Sequence, residues 1–167
     1  MKMLFALVMV FSFITSFLLA NSLELGSPAP RLKVLTDQGT SLNLGEALSE
    51  GTTLVFFYPK AMTPGCVKQA CSLRDGWDEL QERGVKILGV SSDTTKTQAQ
   101  FRDKYTLPFT LLADTDGKIA DAFSKGRWSR QAYLFRDGIL VWRDLKAATS
   151  KQATEVLAAL DELKLSL

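Results

Sequence analysis

Two thiols, Cys66 and Cys71, are the side chains of this chain best suited to nucleophilic or redox chemistry, and no histidine accompanies them. Without imidazole there is no Ser-His-Asp or Cys-His nucleophile pair, no histidine-ligated haem, and no histidine-containing zinc or di-iron site. Two cysteines cannot complete a four-thiolate zinc or iron–sulfur site within one chain. Chemistry must then come from the thiols, from carboxylates or from a bound cofactor, and neither a metal nor a cofactor is expected.

The setting of Cys66 favours the thiolate. Thr52–Tyr58 (TTLVFFY) is a continuous apolar, β-branched and aromatic run, as in a strand buried on both faces. The run Tyr58-Pro59-Lys60-Ala61-Met62-Thr63-Pro64-Gly65-Cys66 then leads into a helix, with Thr63 suited to the N-cap and Pro64 to the first helical position. Cys66 falls in the first turn, near unpaired N–H groups and the positive end of the helix dipole. The thiolate is the nucleophilic form. Cys71 follows five residues later. In an intact helix that spacing puts the residues about 140° apart around the axis and roughly 7.5 Å apart along it. A disulfide needs Cα atoms about 4.4–6.8 Å apart, so the pair cannot bond without unwinding this stretch. A permanent staple remains open, but closing so short a loop stabilises by only roughly 2 kcal/mol and costs helical turns. A redox switch is favoured: thiolate in a folded helix, disulfide in a locally melted one.

The elements that position these sulfurs follow from periodicity. Leu32–Leu35 and Ser41–Leu44 flank turn residues Asp37-Gln38-Gly39 and read as a hairpin. From Cys66 to Arg83 the apolar positions Ala70, Leu73, Trp77 and Leu80 predict one helix ending at Gly84. Val85–Val90 is a second buried strand, and Thr94–Lys104 a polar helix behind a Ser91-Ser92-Asp93 cap region. Phe109–Leu112 predicts a short strand and Lys118–Phe123 a short helix. Gln131–Phe135 and Ile139–Trp142 form a hairpin around Asp137-Gly138, and Ser150–Leu163 is a closing helix. Alternating strands and helices predict an α/β fold with a central sheet covered by helices.

At 167 residues the chain predicts one domain with an appendage, and its formal net charge of +2 gives no reason to expect nucleic acid. Residues 1–22 carry Lys2, an apolar run from Met3 to Ala20 and the small residues Ala20-Asn21-Ser22, the pattern of a signal peptide. An uncleaved N-terminal anchor, with membrane contact, is the alternative. Either predicts export, to the periplasm or as an anchored domain outside the cytoplasm, with residues 23–167 as the working domain.

The run FYPKAMTPGCVKQACSLRD resembles the active-site segment of the atypical two-cysteine peroxiredoxins, in the peroxiredoxin Q (bacterioferritin comigratory protein) group. The signature Pro-x-x-x-Thr-x-x-Cys is met by Pro59, Thr63 and Cys66, and the subgroup's Cys-x₄-Cys by Cys66 and Cys71. Leu107-Pro108-Phe109, Leu111-Leu112-Ala113-Asp114 and Arg130, four residues ahead of Leu134, also match. The resemblance implies a thioredoxin-like fold: a central mixed sheet flanked by helices, with an N-terminal hairpin. It implies a thiol peroxidase in which Cys66 attacks a hydroperoxide and Cys71 resolves the sulfenic acid. Thr63 would bond thiolate and peroxide, Arg130 would stabilise charge, and Pro59 would shield the pocket. Hydrogen peroxide or an organic hydroperoxide is the expected substrate, thioredoxin or a similar dithiol protein the reductant, and a monomer the expected state.

Two departures from the family pattern stand out. Tyr133–Gly138 is one residue shorter than usual, which trims a hairpin, and Ala61-Met62 replace polar residues, which makes the pocket rim more apolar, although a lone methionine is more often core filler. Two other functions stay open: an exported thiol–disulfide oxidoreductase acting on proteins, and a non-catalytic binding domain stapled by one disulfide. Trp77, Trp128 and Trp142 are read as packing, Asp114-x-Asp116-Gly117 as a turn, and Arg102-Asp103-Lys104 as a solvated helix face.

Overall fold

The computed structural model describes residues 23–126 and 128–165, the last by its backbone. Seven strands form one mixed sheet. In chain order they are β1 (Lys33–Thr36), β2 (Ser41–Asn43), β3 (Thr52–Phe57), β4 (Val85–Ser91), β5 (Thr110–Ala113), β6 (Gln131–Arg136) and β7 (Ile139–Asp144). The helices are α1 (Leu44–Ala47), α2 (Pro64–Asp75), α3 (Trp77–Glu82), α4 (Thr95–Tyr105), α5 (Lys118–Ala122) and α6 (Gln152–Leu165). The sheet order is β2-β1-β5-β4-β3-β6-β7. β3 pairs parallel with β4, and β4 with β5. β6 runs antiparallel to β3, and β1 antiparallel to both β2 and β5. The fold is thus the expected thioredoxin-like one, with the β1–β2 hairpin at its edge.

β3 is central because both of its faces are apolar. Leu54, Phe56 and Tyr58 pack on one side with Ala70 and Leu73 of α2, Leu80 of α3, Phe101 of α4 and Val156 of α6. Val55 and Phe57 face Leu44, Leu48, Ile119 and Phe123 on the other. The strand's carboxyl end therefore has nowhere to go but over the sheet rim, where α2 begins.

The helix expected from Cys66 to Arg83 is two helices, divided at Gly76. A Cβ on Gly76 would lie 2.7 Å from Cβ of Ala153. Helix α6 crosses so close at this point that the chain bends where a glycine permits contact, and the apolar periodicity continues across the bend. One-turn α1 carried no periodic signal and is seen only in the structure. Arg102 is no solvated charge: its guanidinium pairs with Asp37, whose side chain is 1% exposed, and Asp37 accepts the Leu111 N–H at 3.1 Å. That pair ties the edge hairpin to α4 and β5. Trp77 and Trp142 pack against the core, whereas Trp128 is 69% exposed. Asp114 ends β5 in a turn and accepts the Ile119 and Ala120 N–H groups at 2.8 and 2.9 Å, which starts α5.

Two predictions follow from these contacts. Gly76→Ala should lower stability by about 1–3 kcal/mol, read from urea unfolding, because either α6 or the α2–α3 bend must give way. Burial pushes the Tyr133 phenol from its ordinary 10.0 up to about 12, and Tyr58 higher still. Above about pH 10 the unfolded chain releases phenolic protons that the folded chain retains, so stability falls as pH rises towards 12. Tyr133→Phe should flatten that fall; an equally steep loss would remove Tyr133 as a cause.

Candidate active site

The turn between β3 and α2 is fixed from beneath by a buried polar network. The Tyr58 hydroxyl donates to Gln98 Oε1, and Gln98 Nε2 donates to Ser91 Oγ at 2.9 Å and to the Leu112 carbonyl at 2.8 Å. Ser91 Oγ in turn donates to Asp93 Oδ2 at 2.7 Å, and the same carboxylate oxygen accepts the Ala61 N–H at 2.7 Å. Burial raises the Tyr58 pKa, which keeps the phenol a donor. The residues read as a helix cap therefore hold the active-site turn instead; α4 is capped by Thr94, which accepts the Thr97 N–H at 3.3 Å. Just beyond the pinned Ala61, Met62 sits at φ 64°, a left-handed conformation that costs an L-residue roughly 1–2 kcal/mol. Its side chain is half-buried and packs against the core.

Thr63 and Pro64 start α2 as expected, but the capping bond is absent. Thr63 Oγ1 donates to the Lys60 carbonyl at 2.9 Å instead. The left-handed turn at Met62 brings that carbonyl back onto the hydroxyl. A capping threonine would have taken the N–H of the second or third helical residue, here Gly65 or Cys66. Those donors stay without a side-chain partner, and no acidic residue occupies the first turn. The helix start is thus a positive, hydrogen-bond-donating surface.

Cys66 is only 1% exposed and its sulfur turns inward with Ala70 and Leu73. Arg130, the last residue before β6, places Nη2 at 3.5 Å from Cys66 Sγ. Its backbone carbonyl accepts the Ala147 N–H at 3.1 Å. Gly65 is what lets the guanidinium descend: a Cβ there would lie 3.1 Å from Arg130 Nη2. Pro59 is half-buried in the turn, and Cys71 is half-buried on α2, both cysteines being free thiols. Cys66 and Cys71 share an unbroken helix, which holds their Cα atoms about 8.6 Å apart, beyond disulfide reach.

One site residue was not foreseen. Gln69, fully buried, accepts from Arg130 Nη1 at 2.5 Å and donates from Nε2 to Gln152 Oε1 at 2.8 Å. The signal lay in the sequence: a glutamine three residues after Cys66, on the helix face that also carries Ala70 and Leu73.

Among the described residues no group of histidines, cysteines and carboxylates could hold a metal. The arrangement is an inward-facing sulfur at a positively biased helix start, under a fixed guanidinium. It suits attack by a thiolate on a small electrophile whose leaving group gathers negative charge.

Comparisons with known proteins agree. The AhpC/TSA family matches residues 25–143. Peroxiredoxin Bcp of Escherichia coli is 41% identical over 121 residues, covering 71% of this chain and 76% of that protein. The crystal structure of peroxidoxin BcpB from Mycobacterium tuberculosis aligns with a TM-score of 0.77 at 29% identity, over 84% of this chain and 97% of that one. A structure of the bacterioferritin comigratory protein of Xanthomonas campestris, concerned with its alkyl peroxide reduction activity, aligns with a TM-score of 0.72 at 29% identity, over 78% and 90%. The expected export is corrected by these relatives, which are Bcp peroxiredoxins. Residues 1–22, on which export was read, lie outside the described residues and outside the family match. No helix among the described residues is long and apolar enough to cross a membrane. The family match, the Bcp relatives and the shared fold together establish that this chain belongs to the AhpC/TSA family, as a peroxidase of the Bcp (peroxiredoxin Q) group.

Proposed function

We propose that residues 23–167 reduce hydroperoxides through a sulfenic acid on Cys66 that Cys71 resolves. The observation that carries the reading is the Cys66 sulfur, buried at the start of α2 with Arg130 Nη2 at 3.5 Å. The thiolate attacks the outer oxygen of the peroxide, the O–O bond breaks, and the inner oxygen leaves as an alcohol or water after taking a proton. The negative charge passes from sulfur to the leaving oxygen, and the Arg130 guanidinium with the Gly65 and Cys66 N–H groups stabilises it throughout. Thr63, whose own proton goes to the Lys60 carbonyl, offers lone pairs to the peroxide O–H. Pro59 closes one side of the pocket. The Cys71 thiolate then attacks the sulfenic sulfur, releasing water and forming the disulfide, and a thioredoxin-like dithiol protein restores both thiols by exchange. Both sulfurs lie on one helix, so a monomer completes the cycle.

The half-buried Met62 beside Ala61 favours an organic hydroperoxide as well as hydrogen peroxide, in keeping with the alkyl peroxide reduction of the Xanthomonas campestris relative. The rival protein-disulfide oxidoreductase reading needs a sulfur presented to a protein surface, and Cys66 is 1% exposed.

Stopped-flow measurements on the reduced protein test the cycle. Cys66→Ser should abolish peroxide consumption, and turnover equal to the parent's would defeat the reading. Cys71→Ser should spare the first turnover and leave a sulfenic acid that dimedone labels. Arg130→Ala should slow attack about a hundredfold, with an unchanged rate removing it from the site. With no histidine in the chain, the rate profile should need no second ionisation between about pH 5 and 8.

A further inference from the structure

An arginine side chain only donates hydrogen bonds, and that fixes the direction of every bond behind it. Arg130 Nη1 takes Gln69 Oε1, so Gln69 must turn its amide nitrogen away, and that nitrogen reaches Gln152 Oε1 at 2.8 Å. Gln152 is forced into the same sense, with its own Nε2 pointing onward. Both amides are fully buried. The chain then stops short: Gln152 Nε2 is buried with no partner, and so is Oε2 of Glu155. One is a donor, the other an acceptor, and they stand three residues apart on α6, hence on one helix face. The helix itself is held against α2 by the Ala153 N–H on Ser72 Oγ at 3.2 Å and by the close approach of Gly76 to Ala153.

We propose that Gln152 and Glu155 are positioning residues for the peroxidase site. Helix α6 carries the far end of a one-way chain, Cys66–Arg130–Gln69–Gln152–Glu155, closed by one water between Gln152 Nε2 and Glu155 Oε2. The carboxylate is an acceptor suited to the polarity that Arg130 imposes on both amides, and the amides hold the guanidinium in register over the sulfur. A purely structural glutamine at this buried place would be replaced by leucine, which has a similar volume, with no consequence at Cys66. The chain predicts a consequence at Cys66, two side chains away. This assignment rests on reading Cys66 and Arg130 as the reacting pair.

The test uses the full chain with two readouts: the rate of reaction with hydrogen peroxide, and the pH dependence of Cys66 alkylation by iodoacetamide in a Cys71→Ser background. Gln152→Leu should slow peroxide attack about tenfold and move the rise in alkylation to higher pH. Combined with Gln69→Leu it should add nothing to the loss from Gln69→Leu alone. Glu155→Leu should act in the same direction, and Glu155→Gln, which keeps an oxygen for Gln152, should recover most of that loss. If Gln152→Leu does not fold, the half-exposed Glu155 pair decides with the same readouts. Variants that change only the melting temperature, with alkylation profile and peroxide rate as in the parent, overturn the proposal. A parent that consumes no peroxide would defeat the peroxidase reading, while the alkylation profile would still decide the chain.

Discussion

The contact on which the candidate site depends is between one guanidinium and one sulfur, Arg130 Nη2 on Cys66 Sγ at 3.5 Å. In the proposed reaction, a chain without histidine has no imidazole base to prepare Cys66, so the preparation must be built into fixed geometry. That geometry needs a helix start aimed at the sulfur, a glycine at 65 that admits the arginine, and a partner that stops the arginine from turning away to solvent. The first comes from β3 and its turn, the second from a missing Cβ, and the third from Gln69.

The turn shows how the fold delivers this. Strand β3 is buried on both faces and cannot shift without disturbing two cores. At its end, the Asp93 carboxylate takes both the Ala61 N–H and the Ser91 hydroxyl. Those bonds hold Met62 in a left-handed conformation, which sends the Lys60 carbonyl to the Thr63 hydroxyl. The usual cap is thereby lost, and the loss leaves N–H donors next to the sulfur. A local defect in helix capping and a donor site for a developing oxyanion are the same feature.

Much of this was legible in the sequence, for reasons of period and spacing. Doubly apolar strands announce a central sheet, so Thr52–Tyr58 and Val85–Val90 could be placed, and Pro59, Thr63, Cys66 and Cys71 form a local signature. What could not be read depends on contacts between distant segments. Gly76 divides the helix because Ala153 crosses it, and nothing near residue 76 carries that information. The Arg102–Asp37 pair joins positions 65 residues apart, so a charge run looked like a solvated face. Thr63 was a plausible cap until the backbone of Met62 was known. Gln69 was the one miss with a local cue, a buried-face glutamine among apolar neighbours. Residues 1–22 were read for location, an expectation that the Bcp relatives contradict.

In the proposed cycle, the hydrogen bonds that prepare Cys66 also oppose its resolution. At helical spacing the two sulfurs are held too far apart, so a Cys66–Cys71 disulfide requires the first turns of α2 to unwind. Unwinding lifts Cys66 and Ala70 from the core, and it breaks Gln69 from both Arg130 and Gln152. The guanidinium contact, the donor-rich helix start and the intact helix are therefore lost together. Reduced sulfur and assembled site belong to one conformation, and disulfide and dismantled site to another. On that cycle, oxidation of Cys66 to the sulfenic acid would change which is preferred, because it would remove the negative charge that Arg130 and the helix dipole face. The product of the proposed first step would thus weaken the electrostatic hold that keeps Cys71, the proposed resolving thiol, at a distance.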